Sequence, residues 1–419
     1  MKKYAFFAAV LLLSFCAPPL YPTEKSGEIT SREITSIEVS GLKRTKPHIA
    51  RQPLEKFLGR EGATLDLNEV QAAVRAMGIL EPLLVELVEA ENELILRVTV
   101  NEKWSIFPFP MVTASSGDFN LGLFFVDSNA FGLRDQMAFG AMYGSSGLSG
   151  MAMYNHSPNR RGLPGWNTFF MYSRRERQDL DRNEEVHRRY SANQLRFSLG
   201  LNYPFTEHFS GSASVSFTEI SLGENTETLN APEEGATHLR FGPGLSLRYT
   251  HWDGFLLSQR SLGLSYGYNL ALAGSSYHQL ELTAVYQQPL IPGFRVNVRS
   301  GAIWKSETDS RTAPLFEVSP QRAQVDILPR RFSARSFAGF SAGLEKYIFN
   351  ARWGTLSVLG SWQCVFSDGP ISGFKFDHGP SGGIRFYLNR LALPALGSDL
   401  AYNVNTGLYQ FAFNIGMEL

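Results

Sequence analysis

The sequence predicts a mainly β protein. A transmembrane antiparallel β-barrel of about sixteen strands spans residues 104–419, and one small α/β module of order βααββ precedes it over residues 33–103. Three observations carry this expectation. Beyond Trp104, apolar residues alternate with polar or small ones at a period of two. The long connections between these runs all fall on one side of the zigzag, and the short turns on the other. The composition is 19% charged and 13% aromatic with 38 glycines, a balance expected where one side of each strand meets lipid and the other faces a polar interior.

Composition also excludes several classes. Lys+Arg 39 against Asp+Glu 39 leaves no basic excess for a nucleic-acid partner. Two cysteines cannot build a disulfide scaffold or a four-thiolate zinc site. The eight histidines are scattered without metal-ligand spacing. No cofactor and no metal is expected.

Residues 1–25 read as an export signal. Met1-Lys2-Lys3 is positive, and the apolar run from Tyr4 to Phe15 falls short of the roughly 20 residues that a spanning helix needs. Phe15 before Cys16 is too bulky for a lipid-attachment site, so cleavage would leave Cys364 as the remaining thiol. No later stretch has the length and polarity of a transmembrane helix, so a mature protein that spans a membrane must do so as a closed barrel.

In the module, Ile34-Thr35-Ser36-Ile37-Glu38-Val39 reads as a strand ending at Gly41. Thr45 is expected to cap a first helix with Pro47 in its opening turn and Ile49, Leu54, Phe57 and Leu58 as its apolar stripe. A second helix is expected over residues 67–80, started by Asp66 or Asn68, with Val70, Val74 and Met77 on one face. Strands over residues 83–89 and 93–102 follow, joined by a turn at Ala90-Glu91-Asn92. The module carries no nucleophilic triad, Gly-rich loop or metal-ligand set, so it reads as a binding or scaffolding unit, and no enzyme is expected.

The alternation is clearest at the end, where Tyr409, Phe411, Phe413, Ile415, Met417 and Leu419 interleave with Gln410, Ala412, Asn414, Gly416 and Glu418. Strands are expected near residues 105–113, 119–127, 134–144, 148–156, 166–174, 192–203, 207–220, 237–251, 258–272, 276–288, 294–305, 336–348, 353–366, 378–388, 396–403 and 407–419. An even count returns both barrel ends to one side, which places the long connections at 175–191, 221–237, 306–335 and 367–377 all outside. The mixed-charge stretch 174–189 then reads as a solvated outer loop. Glu281 and Glu345 read as lumen carboxylates, and Trp166, Trp252, Trp304, Trp353 and Trp362 as interfacial aromatics near strand ends. Arg335 has two readings from the residues alone: a solvated loop arginine, or a cation drawn to a lumen carboxylate.

A module ending in Asn101-Glu102-Lys103 and followed at once by a barrel resembles the BamA/TamA superfamily of outer-membrane assembly and translocation proteins. The likeness spans most of the chain beyond the signal. It implies that residues 33–103 are a POTRA-like periplasmic domain and that the barrel is of the bacterial surface-antigen type. Residues 124–132, with Asp127, Asn129 and Phe131-Gly132, look like the early barrel turn of these proteins. Members carry an Arg-Gly-aromatic tip in the sixth outer loop, folded into the lumen and held by an acidic residue of the next rising strand. Ala334-Arg335-Ser336-Phe337 and Val365-Phe366-Ser367-Asp368-Gly369 resemble these two parts, although Ser336 replaces the glycine and Gly369 comes one residue early. The resemblance therefore implies a loop lock of Arg335, Phe337 and Asp368. It further implies a seam between the first barrel strand and the terminal strand of Tyr409, Phe411, Phe413 and Leu419. The expected partners are outer-membrane lipid, client outer-membrane or secreted polypeptides and periplasmic accessory proteins, with no nucleic acid. The expected function is protein insertion or translocation at the outer membrane. A dedicated two-partner secretion pore, or a passive porin-like channel or surface antigen, stands as the alternative.

Overall fold

The computed structural model describes residues 32–415, apart from 91–92, 116–117, 146, 158–162, 224–227, 254–255, 307–311, 313–314, 316, 352–353, 370–372 and 389–393. The expected export signal, Cys16, the turn at Glu91-Asn92, Trp353 and Leu419 lie outside the described residues. The chain divides into two compact units at Lys103/Trp104.

The first unit runs β1 (Ile34–Ser40), α1 (Pro47–Arg51), a 3₁₀ segment (Gln52–Phe57), α2 (Leu67–Arg75), β2 (Leu80–Ala90) and β3 (Glu93–Glu102). Its sheet has the order β1-β3-β2, with β1 parallel to β3 and β2 antiparallel to it. Leu54, Phe57, Val70, Leu96 and Val98 form a fully buried core between the helices and the sheet. The first helix is shorter than expected, because Pro53 has no N–H to continue the helical hydrogen bonding; Gln52 keeps helical backbone and the chain tightens there to 3₁₀ geometry. Leu58, expected on the buried stripe, is exposed just before the turn at Gly59. The second helix stops at Arg75 rather than Leu80, because Gly78 takes a left-handed φ of 78° and Leu80 already pairs in the sheet. Asp66 caps it as expected, accepting from the Asn68 N–H at 2.8 Å.

Thr45 is not a helix cap. Its hydroxyl donates to Glu102 Oε1 at 2.9 Å, and the Glu102 carboxylate also accepts from the backbone N–H groups of Lys43, Arg44 and Thr45. Gly41 makes this approach possible, since a Cβ there would collide with the Val100 carbonyl oxygen. Burial alone would raise the Glu102 carboxyl, but these donors outweigh it and hold it below the usual carboxylate range. A lowered folded value means that the tether's stability is present above the ordinary carboxyl range and is lost as pH falls through the lowered value. Glu102→Gln should speed amide exchange at residues 43–45 by about tenfold after correction for intrinsic rates, on the order of 1–2 kcal/mol. Acid should do the same to the wild type and leave the variant unchanged.

The second unit is a closed antiparallel barrel of sixteen strands. These are β4 (Ile106–Ser115), β5 (Asp118–Ala130), β6 (Asp135–Gly144), β7 (Gly147–His156), β8 (Gly165–Leu180), β9 (Val186–Pro204), β10 (Phe209–Leu222), β11 (Ala236–Asp253), β12 (Leu256–Ala273), β13 (Tyr277–Ile291), β14 (Phe294–Lys305), β15 (Ser336–Ala351), β16 (Gly354–Gly369), β17 (Gly373–Leu388), β18 (Pro394–Tyr402) and β19 (Tyr409–Ile415). Alternation sorts the side chains as the period predicts. Phe197, Leu199, Leu201, Phe241, Leu264, Leu270 and Phe411 are exposed on the outer surface, where lipid would cover them. Among the described residues no helix is long and apolar enough to cross a membrane. Trp166 and Trp304 lie at strand ends as expected, whereas Trp362 sits in the middle of β16.

Two of the four long outer connections are instead tall hairpins. β8 and β9 pair as far as Leu180 and Val186, and β16 and β17 as far as Gly369 and Gly373. The mixed charge of residues 174–189 hid the first, because there the polar side chains alternate with other polar side chains.

Candidate functional site

The barrel closes between β19 and β4, and among the described residues this seam is the shortest pairing in the sheet. Four register pairs join it, Ala412↔Ser115 to Ile415↔Val112, whereas each other neighbouring pair shares at least seven. Backbone parity sets which groups of β4 face the seam. Ser115 and Asp118 flank a two-residue connection, and the Ser128 N–H donates to the Ser105 carbonyl at 2.9 Å. The odd-numbered residues of β4 therefore turn their N–H and C=O groups toward β5, and the even-numbered ones toward β19. Ile106, Pro108, Pro110, Val112 and Ala114 are the seam-facing positions, and two of these five have no N–H to donate.

The structure divides the expected seam residues. Phe413 lies opposite Ala114, while Tyr409 and Phe411 are exposed and pair with Tyr402 and Leu400 of β18. Ser105, expected to open the first strand, lies just before β4 and is buried.

A second feature fills the lumen. Of the connection expected over residues 306–335, the described stretch 317–334 runs back into the barrel instead of standing outside it. Ala323, Val325, Ile327, Leu328, Phe332 and Ala334 are almost fully buried against lumen-facing Ile303, Phe337, Val365 and Ala401. The wall is shaped for this approach. Gly301 and Gly339 are register partners on β14 and β15; a Cβ on Gly339 would collide with the Ala323 carbonyl, and one on Gly301 would lie 2.6 Å from the Arg322 carbonyl. The Asp326 N–H donates to Gln363 Oε1 at 2.7 Å, tying the loop to β16.

The β8–β9 hairpin clamps the loop from the opposite wall. Arg177 donates to the carbonyls of Leu315 and Glu317, Arg188 pairs with Asp179 and Glu317 at 2.7 and 2.8 Å, and Leu180 takes a backbone bond from its own N–H to Arg331. The tip of the hairpin crosses the mouth. Arg182 pairs with Asp377 on β17, and Gln410 of the seam strand donates to Glu184 at 2.7 Å. Residues 174–189 are thus a clamp, not a solvated loop. Tyr190, opposite Arg177, is 1% exposed and closes the contact from below.

Arg335 and Asp368 meet as the resemblance implies, in a different setting. The guanidinium Nε donates to Asp368 Oδ2 at 3.1 Å, Nη2 reaches the same oxygen, and the Arg335 N–H donates to the Asp368 carbonyl at 3.0 Å. Both side chains are partly exposed, because Ser336 opposite Asp368 places them on adjoining strand ends at the rim. The arginine does not sit at an inserted tip; residues 320–334 do the inserting. Phe337 faces inward, 2% exposed, with its ring edge-on to Phe332 at 5.8 Å.

Other groups were missed or misread from sequence. Glu345 is no free lumen acid: it is 1% exposed and held by Arg295, Ser357 and Tyr387. The lumen is not uniformly polar either, since a cavity of about 490 Å³ beneath the clamp is lined by Met111, Met142, Met151 and Met171. The apolar residues Val325, Ile327 and Leu328 inside a long polar loop were the available signal for the insertion.

Neither a protein-family model nor a curated protein matches the sequence. The fold does have matches. BamA from Haemophilus ducreyi lacking POTRA domains 1–3 superposes with a TM-score of 0.58 at 10% identity, covering 92% of this chain and 84% of that one. CdiB from Acinetobacter baumannii gives 0.62 at 12% identity, covering 93% and 74%. CdiB from Escherichia coli gives 0.63 at 12% identity, covering 93% and 77%. The chain therefore has the fold of outer-membrane β-barrels. Among these, it is similar to the BamA and CdiB barrels.

Proposed function

We propose that this protein inserts or exports polypeptides at the bacterial outer membrane, with residues 33–103 acting as a periplasmic POTRA-like domain. The observation that carries this reading is the proline pair of β4: Pro108 and Pro110 leave two of its five seam-facing positions without a backbone donor. A nascent β-strand competes with β19 for β4 at little cost in broken hydrogen bonds. In the first unit β2 is a sheet edge that carries the exposed Leu83 and Leu84, and it offers a client strand backbone partners. No group in this scheme performs covalent chemistry. A dedicated two-partner exporter is the second reading.

The test locks the seam. In a Cys364→Ser background, Ala114→Cys with Phe413→Cys places two thiols on register partners, about 5.5 Å apart at Cα, within disulfide reach. Oxidation should abolish client delivery and reductant should restore it, with each single variant active. Full activity in the cross-linked protein would remove the lateral route. Depletion separates the classes: loss of many outer-membrane proteins marks general assembly, loss of one a dedicated exporter, and loss of none a passive channel.

A further inference from the structure

Opening the seam takes more than parting the four register pairs of β4 and β19. Around the barrel, β4 to β9 lie on one side of the seam and β17 to β19 on the other. The β8–β9 hairpin belongs to the first side, and its tip bonds to the second across the mouth. Gln410 of β19 lies opposite buried Ala401 and is 8% exposed; its amide donates to Glu184 Oε1 at 2.7 Å. Arg182 pairs with Asp377 on β17. The Asp377 carboxylate also accepts from Asn403 at 3.1 Å, in the turn that leads into β19. Gln410 is two residues from Ala412, whose pairing with Ser115 is the mouth end of the seam.

The tip is braced for these contacts. Asp181 Oδ1 accepts from the N–H groups of Asn183 and Glu185 at 2.8 and 2.9 Å, and the Asp181 N–H donates to the Glu185 carbonyl at 2.8 Å. Between them Glu184 takes a left-handed φ of 67°, a conformation that a residue with a Cβ adopts at a cost. The stem of the same hairpin grips the inserted loop, through Arg188 on Glu317 and the Leu180 N–H on the Arg331 carbonyl. One hairpin thus touches both the loop that fills the lumen and the strand that closes the wall.

We propose that the β8–β9 hairpin is a strap that holds the seam shut while the inserted loop is seated. Parting the mouth end of β19 from β4 carries Gln410 away from the hairpin, so the bonds of Glu184 and Arg182 break with it. Because the hairpin also holds the loop, the two events are linked. Drawing the loop out of the lumen loosens the seam, and opening the seam loosens the loop. As regulation, the strap rests on the lateral route proposed above.

The test is residue-resolved hydrogen exchange of the full chain in lipid nanodiscs, without client, read at the seam-facing N–H groups of Val112 and Ala114. Glu184→Ala and Arg182→Gln should each speed their exchange, and the double variant should do so at least about tenfold. Glu184→Gln keeps an acceptor for Gln410 and should stay near wild type, as should Asn183→Ala at an exposed position of the same tip. Glu317→Ala, on the inserted loop, should speed the same amides severalfold by removing the partner of Arg188. Unchanged seam exchange in the folded double variant overturns the strap, and unchanged exchange in folded Glu317→Ala overturns its link to the loop. With no client present, loss of the strap and loss of the lateral route are separate results.

Discussion

Gly339→Leu is expected to expel residues 320–334 from the lumen and turn a closed barrel into a conducting one. The backbone of Ala323 lies against Gly339, and the obstacle to a new Cβ is a carbonyl oxygen, not a flexible side-chain end. A side chain there must push the loop away, because the opposing wall is a hydrogen-bonded sheet that cannot yield locally. Overpacking of this kind costs about 1–3 kcal/mol, and here it falls on a segment held by one face of apolar contact and a few hydrogen bonds. Planar-bilayer recordings should show single-channel conductance rising severalfold over wild type. Gly360→Leu is the control, since nothing lies within 4 Å of the Cβ it adds, and its conductance should be unchanged. Unaltered conductance in folded Gly339→Leu would mean that the loop does not set the pore.

The second large effect belongs to Glu345→Ala. Arg295 and Glu345 are register partners on β14 and β15, with side chains 7% and 1% exposed, and Ser357 and Tyr387 complete the carboxylate's hydrogen bonds. Removing the carboxylate strands a buried guanidinium, a loss of about 3–5 kcal/mol. Urea unfolding of the barrel refolded in lipid should show it as a lower midpoint at unchanged slope. Glu345→Gln keeps acceptors for Ser357 and Tyr387 and should lose less. A midpoint unchanged by Glu345→Ala would show that water reaches Arg295 and replaces its partner.

Much of the architecture was legible because lipid imposes a simple rule on a barrel strand. One side must be apolar along the whole crossing, so Leu262, Leu264 and Tyr266, or Tyr409, Phe411 and Phe413, stand out against small and polar neighbours. The rule fails where a strand rises beyond lipid. Residues 175–180 alternate Arg177 and Asp179 with other polar groups, and the cross-strand register, with Asp179 opposite Arg188, marks them as sheet. Prolines carried a different kind of information. Pro53 shortened a helix by a local backbone effect, whereas Pro108 and Pro110 gain meaning only once the strand that each faces is known.

The sequence by itself determined the sixteen-strand barrel and the order of the module ahead of it. Periodicity and turn chemistry are local properties, and each strand expresses them before any partner is chosen. Tertiary structure alone decided what fills the cylinder: that residues 320–334 turn inward and that Gly301 and Gly339 make room for them. Those outcomes depend on groups as far apart in the chain as Gln410 and Glu184 arriving at the same place, and no period or spacing encodes that arrival. It follows from closure, which sets the inward faces of all the strands around one small volume.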